Sequence, residues 1–298
     1  MATLAAQTKP TTHCFVEGKE PLYLDHYRAE GEGLHPCVLF AFGGGFSHGN
    51  RADERYMKYF EMLLSKGFDV VSIDYRLGMS YTLDSDKEVG ALEGARVMYR
   101  SVNMAAEDVL RATHFIHLNA MKMGIDISRI VASGSSAGAI AVLQAENHIV
   151  NRSHAAKILS ADYNFAGVIA FAGAIYSVLS KPKWRNTPCP IMLFHGNADR
   201  NVPYRQATIL GIGFYGSDFL ADQLHKKGAT YYFHSAHRDH ILALSPMNDN
   251  HEEIVNFLDR CVLGGEKMQH TNEYVAEGIE PCQTEFTVQE YLNSNYSK

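Results

Sequence analysis

The stretch Arg129-Ile130-Val131-Ala132-Ser133-Gly134-Ser135-Ser136-Ala137-Gly138 decides the fold, together with the helical run 139–146 that follows it. A short apolar run leads into a Gly-x-Ser-x-Gly turn, and a helical pattern begins directly afterwards. In such a strand–turn–helix unit the glycines allow a turn too sharp for side chains, and the serine hydroxyl is held above the sheet. An ordinary Ser/Gly-rich turn has the same composition. The motif therefore needs support from the rest of the chain.

The alternation of strand, turn and helix recurs along the chain. Amphipathic helical patterns occupy 51–66, 104–123 and the region 254–261. Apolar runs rich in β-branched and aromatic residues lie at 38–42, 69–73, 129–132, 168–171, 191–194 and 230–233. Continuous apolar strands that alternate with helices are typical of a mostly parallel sheet buried on both faces. We predict an α/β protein with a doubly wound, mostly parallel sheet, helices on both faces and little or no cap domain.

The pattern also suggests where the domain begins and ends. We predict one domain over 1–298, with its core at about 36–263 and a C-terminal extension over 264–298. The residues up to about Tyr27 are compatible with antiparallel edge strands. After Gly264 the sequence becomes acidic and rich in turns. The connection between Phe171 and Pro190 is short, as is normal for a βα connection with a short helix, and this predicts little lid.

Composition excludes several classes of protein. The chain has 298 residues, 46% hydrophobic and 20% charged, with a net charge of −6 and no long Lys/Arg run, so no nucleic-acid partner is expected. No apolar stretch reaches the length of about 18 residues that a membrane span needs. Five scattered cysteines without a C-x-x-C pair indicate neither a disulfide framework nor a thiolate metal site. The first residues lack the basic and apolar parts of a signal peptide, which favours the cytoplasm unless a leader has been removed.

A glycine-rich stretch, Gly43-Gly44-Gly45-Phe46, follows the apolar run 38–42. It lacks the Gly-Lys-Ser/Thr ending of a phosphate-binding loop and the spacing of a dinucleotide fingerprint. Consecutive glycines leave backbone N–H groups bare, so they can approach an oxygen closely. We expect Gly44 and Gly45 to form an oxyanion hole together with Ala137, the residue after the serine.

A serine nucleophile needs a base that is itself oriented by a third group. Asp199 lies in the turn 195–203 after a late strand, where such a carboxylate would be placed. An Asx turn is the structural alternative for this residue. We interpret His195, in the same segment, as a strand-end residue that shapes the turn.

Three histidines, His234, His237 and His240, follow the run 230–233. Their spacing resembles that of a metal site, but no carboxylate or cysteine cluster with matching spacing accompanies them. We therefore expect neither a metal nor a cofactor. One of the three is expected to be the base. His240 is favoured because it lies at the far end of the loop before a helix opening, and His237 is the alternative.

Taken together, these stretches resemble α/β-hydrolase fold serine esterases of the carboxylesterase and hormone-sensitive-lipase-like kind, in particular bacterial acetyl- or feruloyl-esterase-like enzymes. The matching stretches are 42–46, 74–78, 124–126 with 129–130, 134–138 and 195–203. The resemblance implies Ser136 as nucleophile, His240 as base and Asp199 as its orienting group. It also implies an oxyanion hole formed by Gly44, Gly45 and Ala137. Two positions depart from the usual pattern: Phe42 stands where His is common, and the segment before His240 lacks a Gly-x-Gly-His sequence.

The resemblance implies a serine carboxylic-ester hydrolase that works through an acyl-enzyme. The short connection after Phe171 predicts an open cleft, suited to short-chain esters or to esters of aryl or carbohydrate alcohols. The expected partner is a small-molecule or carbohydrate-linked ester, and the C-terminal extension is compatible with a homodimer. Two alternatives are a peptidase of the same fold and a non-catalytic ligand-binding relative, although the latter normally lacks a member of the triad.

Overall fold

The computed structural model describes residues 9–80, 91–178 and 180–275. Within these ranges the strands are β1 (Thr11–Val16), β2 (Leu22–Tyr27), β3 (His35–Ala41), β4 (Asp69–Ile73), β5 (Ile125–Ser135), β6 (Gly167–Phe171), β7 (Ala174–Ser177), β8 (Ile191–Gly196), β9 (Gln206–Ile209), β10 (Ile212–Gly216), β11 (Tyr231–Ala236) and β12 (Gln269–Tyr274). Nine of them form one sheet in the order β1-β2-β4-β3-β5-β6-β8-β11-β12. The pairings from β4 to β12 are parallel, and those of β1 with β2 and of β2 with β4 are antiparallel. The predicted mostly parallel sheet is confirmed.

The helices that cover this sheet are α1 (Met57–Ser65), α2 (Ala91–Met123), α3 (Ala137–Val150), α4 (Ser217–Lys227), α5 (Pro246–Asp249) and α6 (His251–Phe257). Short 3₁₀ turns occur at Glu54–Tyr56, Ala155–Ile158 and His240–Ala243, and a π-helical turn at Leu258–Leu263. Every residue of β4, β6 and β8 is buried. Because side chains alternate between the two faces of a strand, both faces of the sheet are covered. The doubly wound α/β class is thus confirmed.

A second, three-stranded antiparallel sheet with the order β7-β10-β9 was not predicted. The prediction of a short helix between Phe171 and Pro190 is wrong. The described residues of this connection contain the strand β7 and no helix. The β9–β10 hairpin turns at Leu210 and Gly211, which have φ of 51° and 80°. Two residues with positive φ are the requirement of the tight hairpin turn, which usually shows as Asn-Gly or Asp-Gly. Leucine in the first position removes that signal from the sequence.

The main sheet continues beyond the predicted core of 36–263 at both ends. At one end β1 and β2 are the antiparallel edge strands that the first residues suggested. At the other end β12, within the predicted extension, pairs in parallel with β11. The residues of β12 are mostly exposed and polar, so they carry no apolar pattern that would predict a strand. Residues 276–298, including Cys282, lie outside the described residues, and the single-domain assignment stays a prediction.

None of the helices in the described ranges is both long enough and apolar enough to cross a membrane. The longest, α2, begins well before the predicted position 104. The helix packs against α3, which in turn lies on β5 and β6. This arrangement supports the turn between β5 and α3, where Ser136 lies.

Candidate active site

Ser136 occupies the sharp turn between β5 and α3. Its backbone has φ of 51° and ψ of −116°, a strained conformation for a residue with a side chain. The backbone N–H of Ser136 donates to the carbonyl of Phe171 at 2.8 Å, which fixes the turn to β6. A Cβ atom at Gly138 would lie 2.1 Å from the carbonyl oxygen of Ala41, and one at Gly134 would lie 2.4 Å from the carbonyl carbon of Gly138. The two glycines are therefore required by close packing around the serine.

Asp199 follows β8 and is buried, with 3% of its surface exposed. Its Oδ1 accepts hydrogen bonds from the backbone N–H groups of Asn201 and Val202 at 2.8 and 2.9 Å. Its Oδ2 is 2.7 Å from Nδ1 of His240. The Asx turn and the histidine contact, which the sequence presented as alternatives, thus use different oxygens of one carboxylate.

Two effects act on the ionisation of Asp199. Burial raises the pKa of this carboxyl group, but hydrogen bonds with His195 and His240 outweigh burial and hold the pKa well below its usual range. Asp199 is therefore a carboxylate under ordinary conditions, and it faces the histidine with a full negative charge.

His240 is the first residue of the 3₁₀ turn His240–Ala243, which is capped by the Asp239 carboxylate accepting from the N–H of Ile241. The loops after β8 and β11 are joined by two backbone bonds, from the N–H of Asn197 to Ala236 and from the N–H of Ala198 to Arg238, each 2.9 Å. These bonds bring the ring of His240 beside the carboxylate. Its other nitrogen, Nε2, lies 2.9 Å from Oγ of Ser136.

The other two histidines of this segment have different partners. His237 is buried, and its Nδ1 is 3.1 Å from the side-chain amide of Asn197. His234 places its Nδ1 2.9 Å from a carboxylate oxygen of Glu253. Among the residues that the structure describes, no group of three His, Cys, Asp or Glu side chains is arranged to hold a metal ion.

The glycine-rich loop lies directly beside the serine, since a Cβ atom at Gly43 would be 3.3 Å from Cβ of Ser136. The Gly43 N–H donates to the hydroxyl of Tyr56 at 3.0 Å. Gly44 and Gly45 have φ of 141° and 59°, which favour glycine. Over the described ranges of the chain, the N–H groups of Gly44, Gly45 and Ala137 donate no hydrogen bond to another part of the protein. Within the described residues, the fold thus leaves the backbone donors of this loop and of Ala137 unused.

Sequence reasoning missed the residues that anchor this loop. Phe42 stands at a position that departs from the family resemblance, and its ring stacks on Tyr75 with centroids 4.4 Å apart. The Tyr75 hydroxyl also donates to the carbonyl of Phe42 at 2.7 Å. The available signals were the position of Tyr75 shortly after β4 and its place in the stretch 74–78, which matches the family. A further missed contact joins Ser135 to the histidine segment, because its hydroxyl donates to the carbonyl of Ala243 at 2.7 Å.

Comparison with known proteins gives partial sequence matches. No family model matches the chain. The chain is 30% identical to Esterase B1 of Culex pipiens over 151 residues, which cover 51% of this chain and 24% of that protein. It is 34% identical to juvenile hormone esterase of Tribolium castaneum over 129 residues, which cover 41% of this chain and 19% of that protein. The chain therefore matches about a quarter or less of the length of these two curated relatives.

The similarity to solved structures extends over most of the chain. The apo form of Thermogutta terrifontis esterase 2 superposes with a TM-score of 0.60 at 18% identity, covering 87% of this chain and 97% of that one. The propionate-bound form of the same esterase gives a TM-score of 0.60, also at 18% identity, over 86% and 96% of the two chains. At this level of identity the likeness concerns the fold. The chain has the α/β-hydrolase fold.

Proposed function

We propose that the protein hydrolyses carboxylic esters, with Ser136 as nucleophile, His240 as general base and Asp199 as the carboxylate that orients it. The observation that carries the proposal is the position of His240, which lies 2.7 Å from Asp199 and 2.9 Å from Ser136. These are hydrogen-bond distances on both sides of one imidazole. The two curated relatives are both named as esterases, which supports the same reaction class.

The hydrogen-bond donors and acceptors of the three residues fit acyl transfer. The Asp199 carboxylate accepts a hydrogen bond from Nδ1–H of His240, so the lone pair of Nε2 faces the serine hydroxyl. As Oγ of Ser136 bonds to the ester carbonyl carbon, its proton passes to Nε2. The carbon–oxygen bond to the alcohol then breaks, and the leaving oxygen takes that proton. Water repeats both steps on the acyl-serine and releases the acid.

The carbonyl oxygen becomes negative during both steps and needs hydrogen-bond donors. We assign this role to the N–H groups of Gly44, Gly45 and Ala137, because the described part of the fold does not use them. Such a donor is typically worth a factor of about 10² to 10³ in kcat.

For the substrate we propose short-chain acyl esters, or esters of aryl or carbohydrate alcohols. The connection between β6 and β8 contains only the short strand β7 within its described residues, which leaves little material for a lid. Structures of the Thermogutta esterase with propionate and with butyrate are consistent with short acyl groups in this fold. A series of acetyl, butyryl, octanoyl and feruloyl esters tests this part, and a preference for octanoyl or longer chains would contradict it.

The main test compares Ser136→Ala with the wild type on p-nitrophenyl acetate. We expect kcat to fall by about 10⁴-fold or more, because the nucleophile is lost. Ser128→Ala is the matched control, since Ser128 is an exposed serine near the opposite end of β5. Labelling with a fluorophosphonate probe should require Ser136. Wild-type protein that is not labelled would indicate a non-catalytic binder, and labelled protein that cleaves peptides but not esters would indicate a peptidase.

A further inference from the structure

We propose that His195 is a positioning residue of the triad, which holds the loop 196–203 and the carboxylate of Asp199 in place for His240. This inference rests on the proposed function. The sequence identified His195 only as a residue that shapes the turn. The contacts of its ring connect that structural role with the catalytic carboxylate.

The ring of His195 is fully buried at the end of β8. Its Nε2 is 3.1 Å from the carbonyl oxygen of Val202. A carbonyl can only accept, so Nε2 carries a hydrogen. The same nitrogen lies 3.4 Å from Oδ2 of Asp199, the oxygen that also contacts His240. Two imidazoles therefore flank one carboxylate oxygen.

Two hydrogen bonds of the Val202 backbone close the loop 196–203. The N–H of Val202 donates to Oδ1 of Asp199, and its carbonyl accepts from His195. Loss of the His195 N–H would leave the Val202 carbonyl without this donor, in a loop that also holds the carboxylate through the N–H groups of Asn201 and Val202. A shift of Asp199 would move His240 relative to Ser136, and small misplacements of reacting groups are costly in rate.

The opposite nitrogen keeps the ring from turning. Nδ1 of His195 is 2.8 Å from the hydroxyl of Ser217, the first residue of α4. That hydroxyl is also 3.3 Å from the carbonyl of Gly173, which follows β6. The orientation of the ring is thus set by contacts from the loop, α4 and the segment after β6.

The charged and titratable groups around His195 are few. Asp199 faces it from the loop, with His240 on the far side of the carboxylate. Tyr204 contacts the ring edge-on, with centroids 5.7 Å apart, and its hydroxyl is 2.7 Å from that of Ser235 on β11. When the His195 N–H is removed, the negative charge of Asp199 acts on His240 with less compensation.

The experiment compares two variants of His195. His195→Met fills a similar volume but has no donor, whereas His195→Gln can keep an N–H near the position of Nε2. For His195→Met we expect kcat on p-nitrophenyl butyrate to fall about tenfold with little change in KM. We also expect the acid limb of the kcat/KM profile to move to higher pH by about half a unit or more. His195→Gln should restore most of both quantities.

A control and an alternative variant keep the test decisive. His154→Met changes an exposed histidine and should leave rate and pH profile unchanged. If His195→Met does not fold, Ser217→Ala removes the hydroxyl behind the ring, and we expect it to shift the acid limb in the same direction by a smaller amount. The inference would be overturned if the Met and Gln variants lost rate equally and neither profile moved.

Failure of this inference can be told apart from failure of the proposed function. If the wild type reacts with a fluorophosphonate at Ser136 but the His195 variants keep its pH profile, only the positioning role is wrong. If the wild type neither hydrolyses esters nor reacts at Ser136, the proposed function is wrong and the inference falls with it.

Discussion

Two buried carboxyl groups, Asp199 in the loop after β8 and Glu146 near the end of α3, differ in the direction of their pKa shifts. Asp199 accepts two backbone N–H bonds and contacts two histidines, and its pKa lies well below the usual range. Glu146 accepts a hydrogen bond from the N–H of Cys189 at 2.9 Å. Burial raises the pKa of Glu146 to about 7, and hydrogen bonds with Cys189 and Asn164 only partly oppose this.

The comparison shows that partners, and not burial, decide the charge of a carboxyl group in this fold. Both groups are removed from water, which disfavours the ionised form in each case. Two histidine partners favour the carboxylate form of Asp199, and the hydrogen bonds of Glu146 with Cys189 and Asn164 do not outweigh its burial. Asp199 lies beside Ser136 and His240, whereas Glu146 lies on the buried part of the helix that follows Ser136.

The largest effect is expected when Asp199 loses its charge but keeps its shape. In Asp199→Asn the amide can still accept from the N–H groups of Asn201 and Val202, but it no longer stabilises a positive imidazole. We expect kcat to fall by about 10⁴-fold, as removal of the triad carboxylate does in serine hydrolases. Steady-state kinetics with p-nitrophenyl acetate measures this fall in kcat. The control is Asp162→Asn, which changes an exposed aspartate. A fall of less than tenfold would show that the charge of Asp199 is not needed.

A third carboxyl group, Asp69, also has two histidine partners but does not belong to the candidate active site. It therefore shows the effect of histidine contacts apart from catalysis. Asp69 is the first residue of β4, so it lies at the amino end of a parallel strand, whereas Asp199 follows the carboxyl end of β8. Asp69 is fully buried and lies 2.7 Å from His26 and 2.8 Å from His35. Burial raises its pKa, but the bonds from His26, Ala29 and His35 outweigh burial and lower it. No serine hydroxyl completes this arrangement in the described contacts of the two histidines.

We therefore expect Asp69→Asn to affect stability and not catalysis. A hydrogen bond to a charged group is worth about 1.5 to 3 kcal/mol in the free energy of unfolding, and the Asp69 carboxylate accepts such bonds from buried partners. The folded pKa of Asp69 is lowered, so its contribution is present above the usual pKa of 3.8 and is lost as the pH falls below that value. Urea unfolding at pH 7 and at pH 3.5 measures the difference, which should be smaller at the lower pH. Exposed Asp259→Asn is the control, and a stability loss independent of pH would contradict this account.

The sequence distinguishes these carboxyl groups only in part. Asp199 was predicted because it follows a late strand, and the chain order serine, aspartate, histidine matches the elbow motif at Ser136. Glu146 was placed at the end of a helical run, where a charged residue normally lies on the exposed face. Its burial depends on α2 and β6 packing on both sides of α3, and packing between distant elements leaves no local pattern.

The same reason explains the other differences between prediction and structure. The six apolar runs all correspond to strands of the main sheet. Parallel strands that are buried on both faces consist of nearly continuous apolar residues, which the sequence shows directly. The small sheet depends on a hairpin turn at Leu210 that lacks the usual turn residues. Contacts such as those of Tyr75 with Phe42 or Ser135 with Ala243 join segments far apart in the chain, so spacing alone could not predict them.

The smallest effect is expected for Glu146→Gln, and it concerns the slope of stability against pH. The pKa of Glu146 is about 7 in the folded protein and 4.5 for the free side chain. Between these values the folded state keeps a proton that the unfolded state has lost, so wild-type stability falls as the pH rises from about 5 to about 8. The shift corresponds to a loss of up to about 3 kcal/mol. Glutamine does not titrate, so the variant lacks this fall.

The test is the difference in unfolding free energy between Glu146→Gln and the wild type at pH 5 and at pH 9. We expect this difference to move in favour of the variant by about 1 to 3 kcal/mol as the pH rises, whatever its value at pH 5. Exposed Glu61→Gln should show no such change. Wild-type stability that rises over this range relative to the variant would mean that Glu146 is a stabilised carboxylate like Asp199. The histidine partners of Asp199 would then fail to explain why the two groups differ.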